Sequence, residues 1–185
     1  MRRLFSFNMI TLDGLFEGQD HNIGWHNVDA EFNEFAIAQL NEIGTLLFGR
    51  ITYQMMASYW PTSEAVKNDP VVADLMNRLP KIVVSKTMAI AEWNNTSLIK
   101  DQIASEILKL KKQSGQDLAI FGSANLISTL MRMDLIDEHR VMVNPVILGT
   151  GTPLFQPKDK FNLRLLRTRA FGNGNVLLCY ESKRK

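Results

Sequence analysis

The stretch Leu47-Phe48-Gly49-Arg50-Ile51-Thr52 passes from a short apolar strand into a helix at a single glycine. The same change recurs in Ile120-Phe121-Gly122-Ser123-Ala124-Asn125. On both sides of these junctions, predicted strands alternate with predicted helices, and two strands close the chain. Helices between strands require crossover connections, which favour parallel pairing, whereas a closing hairpin adds antiparallel edges. The sequence therefore predicts an α/β fold with a mixed, mostly parallel sheet.

The individual elements follow from hydrophobic spacing and from turn residues. Strands are predicted at 4–11, 45–48, 81–85, 95–99, 117–121, 139–143, 162–169 and 175–181. Helices are predicted to begin near Asn27, Ile51, Val71, Asp101 and Ser123. Residues 16–27 show little periodicity, so they are predicted to form a long loop, which in a compact domain is often functional. Residues 61–70 are predicted to form a polar connection.

Composition and charge exclude several classes of protein. The chain has 185 residues, of which 45% are hydrophobic and 22% charged, so one domain spanning 1–185 is expected. Its 21 Lys and Arg against 19 Asp and Glu give a net charge of +2, too balanced for a dedicated nucleic-acid binder. A single cysteine, Cys179, rules out a disulfide framework. Because the sequence has no signal peptide and no run of about 20 apolar residues, a soluble, cytoplasmic protein without a membrane partner is expected.

The two strand-to-helix junctions are suited to binding phosphate. A helix N-terminus presents unpaired N–H groups and partial positive charge, and glycine or serine allows an anion to approach closely. Arg50 and Thr52 add a charged donor and a hydroxyl at the first junction, and two such junctions favour a dinucleotide. Ser85 and Lys86 follow another predicted strand and are suited to an extra phosphate, such as the one that distinguishes NADP from NAD. The alternative is purely structural: the glycines allow tight packing, and Ser85-Lys86 forms a solvated turn.

Acid–base candidates lie near the N-terminus. Asp13 precedes Gly14, and Asp29 and Glu31 fall at the start of the first predicted helix. Each also has a structural explanation, because Asp13 suits a turn and the other two suit a helix N-terminus. The histidines do not have metal-ligand spacing, and no serine lies in a G-x-S-x-G elbow, so neither a metal site nor nucleophilic catalysis is expected.

Several short blocks, in their order and spacing, resemble the dihydrofolate reductase-like superfamily. Within it, the chain is similar to the RibD C-terminal domain family, named for the reductase half of the bifunctional riboflavin-biosynthesis deaminase–reductase. The likeness runs nearly end to end and is carried by residues 11–14, 47–53, 81–87, 121–126 and 145–155. It implies a three-layer α/β/α fold that ends in an antiparallel hairpin, and it implies a homodimer.

The resemblance also implies NADPH as the hydride donor. The residues expected near the adenine-side phosphates are Gly49, Arg50, Thr52, Ser85 and Lys86. The turn expected to cradle the pyrophosphate contains Gly122, Ser123, Ala124, Asn125 and Leu126. The residues expected to border the nicotinamide are Thr11, Asp13, Gly14, Leu148 and Gly149.

The departures from the family pattern shape the expected function. Ser123 stands where the family often has a second glycine, no zinc-ligand cysteine pair of a deaminase is present, and no arginine set for a ribose phosphate is evident. A stand-alone NADPH-dependent reductase of a small pterin-like or riboflavin-pathway pyrimidine-like substrate is expected, similar to 5-amino-6-(5-phosphoribosylamino)uracil reductase. Asp29 or Glu31 would relay the proton. The alternatives are dihydrofolate reductase and a non-catalytic NADP-binding protein.

Overall fold

An eight-stranded sheet forms the centre of the part of the protein that the structure describes, which comprises residues 1–156 and 160–182. The structure is a computed structural model. The described part of the chain contains ten strands, eight of which form this sheet. They are β1 (Leu4–Ile10), β2 (Leu15–Glu17), β3 (Ile43–Gly49), β4 (Lys81–Val84), β5 (Thr96–Ile99), β6 (Asp117–Phe121), β7 (Glu138–Val143), β8 (Thr152–Pro153), β9 (Leu163–Ala170) and β10 (Val176–Ser182). The order in the sheet is β5-β4-β3-β6-β1-β7-β10-β9, and β2 pairs separately with β8.

The strand directions confirm the predicted mixed sheet. The strands from β5 to β7 in this order are all parallel to one another. Strand β10 is antiparallel to both β7 and β9, so the end of the chain forms the predicted antiparallel hairpin. The carboxyl ends of β4, β3, β6 and β1 consequently lie side by side at one edge of the sheet.

Helices cover both faces of the sheet. They are α1 (Ala30–Asn41), α2 (Arg50–Tyr59), α3 (Ser63–Asn68), α4 (Pro70–Arg78), α5 (Ile103–Lys112) and α6 (Ala124–Arg132). Leu47 of β3 belongs to one core cluster with residues of α5 and α6, whereas its neighbours Leu46 and Phe48 belong to a second cluster with residues of α1, α2 and α4. Because both faces of β3 are buried, the strand is apolar throughout rather than alternating. The result is the expected three-layer arrangement.

Two predicted connections contain regular structure instead. Residues 61–70 include α3, a single short helix whose one buried residue is Ala65, so apolar periodicity could not indicate it. The predicted loop at 16–27 overlaps β2 and contains a 3-10 turn at Gln19–His21. Strand β2 depends on pairing with β8, which lies far away in the sequence, and local patterns do not contain that information. The remaining helices begin within three residues of their predicted starts.

No helix within residues 1–156 and 160–182 is both long enough and apolar enough to cross a membrane.

Candidate active site

The strand-to-helix junctions meet at the carboxyl edge of the sheet. Gly49 ends β3, Ser85 follows β4, Gly122 follows β6 and Thr11 follows β1, and these four strands are neighbours. In open α/β sheets, ligands bind outside the carboxyl ends of the strands. The topology therefore brings together segments that are up to about a hundred residues apart in the sequence.

A cavity of about 360 Å³, here called the junction cavity, opens where β3, β4 and β6 end. Most of the residues predicted for a dinucleotide line it, namely Gly49, Arg50, Thr52, Ser85, Lys86, Ser123, Ala124, Asn125 and Leu126. The structure thus assembles the first junction, the second junction and the Ser85-Lys86 turn around one space.

The two junctions are also joined directly. The backbone N–H of Gly49 donates to Ser123 Oγ at 2.7 Å, and Ser123 Oγ donates to Thr52 Oγ1 at 2.9 Å. A Cβ atom on Gly49 would lie 2.8 Å from Ser123 Oγ, and one on Gly122 would lie 2.8 Å from Thr52 Cγ2. The glycines therefore do serve tight packing, as the structural alternative held. Ser123, where the family often has glycine, links the starts of the two helices.

The N-termini of α2 and α6 are left open. The N-cap residues are Gly49, which has no side chain, and Ser123, whose side chain accepts no hydrogen bond from the first turn of α6 within the described residues. By contrast, α1 and α3 are capped by Asp29 and Thr62. Uncapped N–H groups at two helix starts beside one cavity are well suited to the oxygens of a pyrophosphate.

The junction cavity has an excess of positive charge. Arg50, Lys86 and Lys100 line it, and the carboxylate in its lining is Glu17, which is engaged by His21 at 2.9 Å. Among the residues that the structure describes, Arg50 donates only to the neutral amide oxygen of Gln54, at 3.0 Å. Within the described part of the chain, Lys86 and Lys100 form no ion pair. Unpaired cations around uncapped helix ends favour an anionic ligand.

A second cavity, of about 340 Å³, adjoins the first and shares Phe16 and Thr52 with it. We call it the aromatic cavity because much of its lining consists of aromatic and methionine side chains: Phe7, Met9, Phe16, Phe32, Met55, Met56, Tyr59, Trp60, Met76 and Phe121. Its size and its apolar lining with a few polar groups are typical of small-molecule sites. Gly122, predicted for the pyrophosphate, lies in this second lining.

The few polar residues of the aromatic cavity include groups without partners. Both amide atoms of Asn8 and the Nε2 atom of His26 are buried and have no hydrogen-bond partner in the described part of the chain. Burial lowers the pKa of His26 to about 4, so the ring is neutral at pH 7. Unsatisfied buried polar groups are rare and often belong to functional sites. No sequence pattern indicated Asn8, because it lies inside a largely apolar strand.

The segments predicted to border the nicotinamide are fastened to each other. Asp13 accepts hydrogen bonds from the backbone N–H of Gly149 at 2.8 Å and of Leu148 at 3.4 Å. Hydrogen bonds from Thr11 and then from Gly149 lower the pKa of the Asp13 carboxyl. Among the described residues, Thr11, Asp13, Gly14, Leu148 and Gly149 lie outside the linings of both cavities. Their contact with a nicotinamide stays a prediction.

Replacing Asp13 with alanine is expected to release the loop at Leu148 and Gly149. The two backbone N–H groups lose their acceptor, so their hydrogen exchange should be faster than in the wild type. Amide exchange measured by NMR tests this expectation. The backbone N–H of Asn144, which donates to the carbonyl of Ile10, is the internal control, and its exchange rate should be unchanged. Unchanged exchange at Leu148 and Gly149 would contradict the role given to Asp13.

The structure engages the two proposed relay carboxylates elsewhere. Asp29 caps α1 by accepting from the backbone N–H of Phe32 at 2.8 Å. Glu31 accepts from the backbone N–H of Gly172 and from Arg169, both at 2.8 Å, and these bonds lower the pKa of its carboxyl. Neither residue lines the junction cavity or the aromatic cavity among the described residues. Their part in proton transfer stays a prediction that no contact supports.

Within residues 1–156 and 160–182, no group of three or more His, Cys, Asp or Glu side chains is placed to hold a metal ion.

Known proteins resemble this chain over almost its full length. The uncharacterized protein YyaP of Bacillus subtilis (strain 168) is 35% identical over 183 residues, which cover 97% of this chain and 95% of that protein. A putative riboflavin biosynthesis protein from Shewanella sp. PV-4 has a TM-score of 0.75 at 23% identity, covering 98% of this chain and 99% of that one. Dihydrofolate reductase from Enterococcus faecalis, complexed with NADP(H), has a TM-score of 0.66 at 14% identity, covering 98% and 97%.

The two solved structures show that the fold is dihydrofolate reductase-like. The model of the RibD C-terminal domain matches residues 2–177, which include both junctions and both cavities. The chain therefore belongs to the RibD C-terminal domain family.

Proposed function

We propose that this protein is a reductase that transfers hydride from NADPH to a small heterocyclic substrate. Family membership supports a reductase, and the fold is shared with an enzyme whose structure holds NADP(H). The most specific support is the pair of adjoining cavities, one cationic and one aromatic, that share Phe16 and Thr52. Hydride transfer needs two ligands in contact, and this arrangement provides two spaces with a common wall.

The junction cavity fits the phosphates of a dinucleotide. The open N-termini of α2 and α6 would hold the pyrophosphate, and Arg50, Lys86 and Lys100 supply the positive charge that a further phosphate requires. When bound, NADPH supplies the hydride, and the protein supplies position and surroundings.

The aromatic cavity fits the acceptor. Phe16 at the common wall, together with Phe7 and Trp60, offers flat apolar surfaces against which a planar ring packs. The same side chains exclude water from the place where hydride would be transferred. Neutral His26 adds a hydrogen-bonding ring nitrogen without adding charge.

The lining of the aromatic cavity makes dihydrofolate a less suitable substrate. The glutamate tail of dihydrofolate has two carboxylates. No lysine or arginine is among the described residues that line this cavity, so the cavity offers these carboxylates no cation. The alternative of a non-catalytic NADP-binding protein would leave the aromatic cavity without a role.

An oxidation assay with a panel of substrates tests the proposed function. The purified protein should oxidise NADPH in the presence of at least one uncharged pterin or pyrimidine from such a panel, and faster with NADPH than with NADH. Oxidation that depends on dihydrofolate and is blocked by antifolates would identify dihydrofolate reductase instead. Binding of NADPH without oxidation across the panel would favour the non-catalytic alternative.

A further inference from the structure

The aromatic cavity contains a single carboxylate and no cation among its described lining residues. The carboxylate is Asp69, and lysine and arginine are absent from the lining, in contrast to the junction cavity with Arg50, Lys86 and Lys100. Neutral His26 adds no charge. The two adjoining cavities therefore differ in the sign of their charge: the junction cavity is positive and the aromatic cavity is slightly negative.

Asp69 occupies a helix-capping position without capping the helix. It is the N-cap residue of α4, where an aspartate normally accepts from the backbone N–H groups of the first turn. Its side chain makes no such bond, whereas Asp29 and Thr62, at the equivalent positions of α1 and α3, both do. The capping role therefore does not explain the position of this carboxylate.

The Asp69 carboxylate instead interacts with a second polar residue of the cavity. The Nδ2 atom of Asn33, from α1, donates to Asp69 Oδ1 at 3.3 Å, and both residues line the aromatic cavity. An ionised carboxylate offers about four lone-pair sites, and this bond fills one of them. Among the described residues, Oδ2 of Asp69 and Oδ1 of Asn33 have no hydrogen-bond partner, so they can accept hydrogen bonds from a ligand.

These features select among possible ligands by charge. A phosphate group in this cavity would lose water next to a carboxylate and gain no cation, which is strongly unfavourable. A ring with N–H donors on one edge would instead satisfy the acceptors of Asp69 and Asn33. Its apolar faces would pack against the aromatic lining, for example against Trp60.

We infer that the aromatic cavity binds an uncharged, phosphate-free heterocycle whose N–H edge is held by Asp69 and Asn33. This inference rests on the proposed function, whose substrate site it specifies. It sets the protein apart from a reductase of phosphoribosylated pyrimidines. It also assigns the substrate-binding carboxylate to Asp69, at the N-cap of α4, rather than to Asp29 or Glu31 near the start of α1.

A matched pair of fluorescent pterins tests the phosphate requirement. Neopterin and neopterin 3′-phosphate share the same fused pterin ring system with an N–H edge and differ only in the phosphate. Titrated into the full-length protein, neopterin should bind at least about tenfold more tightly than its phosphate ester, the equivalent of one unfavourable charge contact. Equal or tighter binding of the phosphate ester, or no binding of either pterin, would overturn the inference.

A pair of variants tests the role of Asp69. Asp69→Asn should weaken neopterin binding by about tenfold or more, since a charge-assisted bond is lost. Asp74→Asn removes an exposed carboxylate from the same helix and should leave neopterin binding unchanged. Thermal unfolding of both variants checks that they fold. If Asp69→Asn does not fold, Asn33→Leu tests the same binding site. Wild-type affinity in folded Asp69→Asn or Asn33→Leu would contradict the assignment.

Titration of the same samples with NADPH separates this inference from the proposed function. The Asp69→Asn variant should bind NADPH as the wild type does, because Asp69 lies outside the lining of the junction cavity. If NADPH fails to bind the wild type while neopterin binds and depends on Asp69, the proposed reductase is wrong and the ligand site stands. If NADPH binds and neopterin binding is independent of Asp69, only the substrate assignment is wrong.

Discussion

Removing the two exposed cations Arg50 and Lys86 together should weaken NADPH binding by about a hundredfold or more. Hydrogen bonds to charged groups contribute about 1.5–3 kcal/mol each, so losing two of them costs about 3 kcal/mol at least. Neither cation has a carboxylate partner in the described part of the chain, so both are available to a phosphate. Fluorescence titration of the Arg50→Ala/Lys86→Ala variant with NADPH measures the effect.

A matched double variant separates local contacts from net charge. Arg78 and Lys109 are exposed helix cations that pair with Asp74 and Glu106 outside the lining of both cavities. Arg78→Ala/Lys109→Ala removes the same charge and should leave the affinity for NADPH within about twofold of the wild type, since long-range effects are screened by salt. A similar loss of affinity in both double variants would show that general charge, rather than the junction cavity, attracts the nucleotide.

Replacing Glu138 with glutamine should produce a large loss of stability. Glu138 is 1% exposed and is bonded to Arg140 at 2.9 Å and Arg167 at 2.8 Å, with Arg3 at 3.2 Å. The substitution preserves the shape of the side chain but leaves Arg140, itself 8% exposed, without its buried carboxylate. Breaking a buried ion pair from one side typically costs about 3–5 kcal/mol. Denaturant unfolding should show a loss of about 3 kcal/mol in the free energy of unfolding.

The effect of Glu138 should also depend on pH. Burial opposes its ionisation, but Arg140, Arg167 and Arg3 outweigh burial and hold the pKa of this carboxyl below its ordinary value of 4.5. A carboxyl whose pKa is lower in the folded state stabilises the fold above its unfolded pKa and loses that contribution as the pH falls through the folded pKa. The difference between wild type and Glu138→Gln should therefore be full at neutral pH and shrink in acid below 4.5.

Glu181 provides the control for the Glu138 experiment. It pairs with Arg164 on the exposed surface of the β9–β10 hairpin. Glu181→Gln should cost less than about 1 kcal/mol, as exposed ion pairs do. Equal losses in the two variants would mean that burial of the Glu138 cluster does not govern its energetics.

The main features of the fold could be predicted because local pattern and tertiary position agree. Leu47 and Phe48 lie in a strand buried on both faces, so the short apolar stretch that predicted a strand here has a direct structural cause. The residues around Gly49 and Gly122 were predicted to act together, and the neighbouring positions of β3 and β6 in the sheet bring them together. That outcome follows from the general rule that parallel strands share one carboxyl edge.

The acidic residues show which contacts a sequence does not reveal. Asp29 and Glu31 are carboxylates, as a proton relay requires. In the structure, however, Asp29 caps α1 and Glu31 accepts a hydrogen bond from the backbone N–H of Gly172 in the β9–β10 hairpin. Asp69 falls in a stretch that was predicted to be a polar connection, and only the packing of α1 against α4 brings it next to Asn33. Pairing across 36 positions leaves no local signal, so the candidate substrate carboxylate could not be found from the sequence.

Isothermal titration calorimetry with NADPH and with NADH tests the central claim, that the junction cavity is a dinucleotide site, most directly. We expect one molecule of NADPH to bind per chain. Its dissociation constant should be at least about tenfold lower than that of NADH, because the unpaired cations of the cavity can bind the additional phosphate of NADPH. No binding of either nucleotide at concentrations of about a millimolar would contradict the assignment of this cavity.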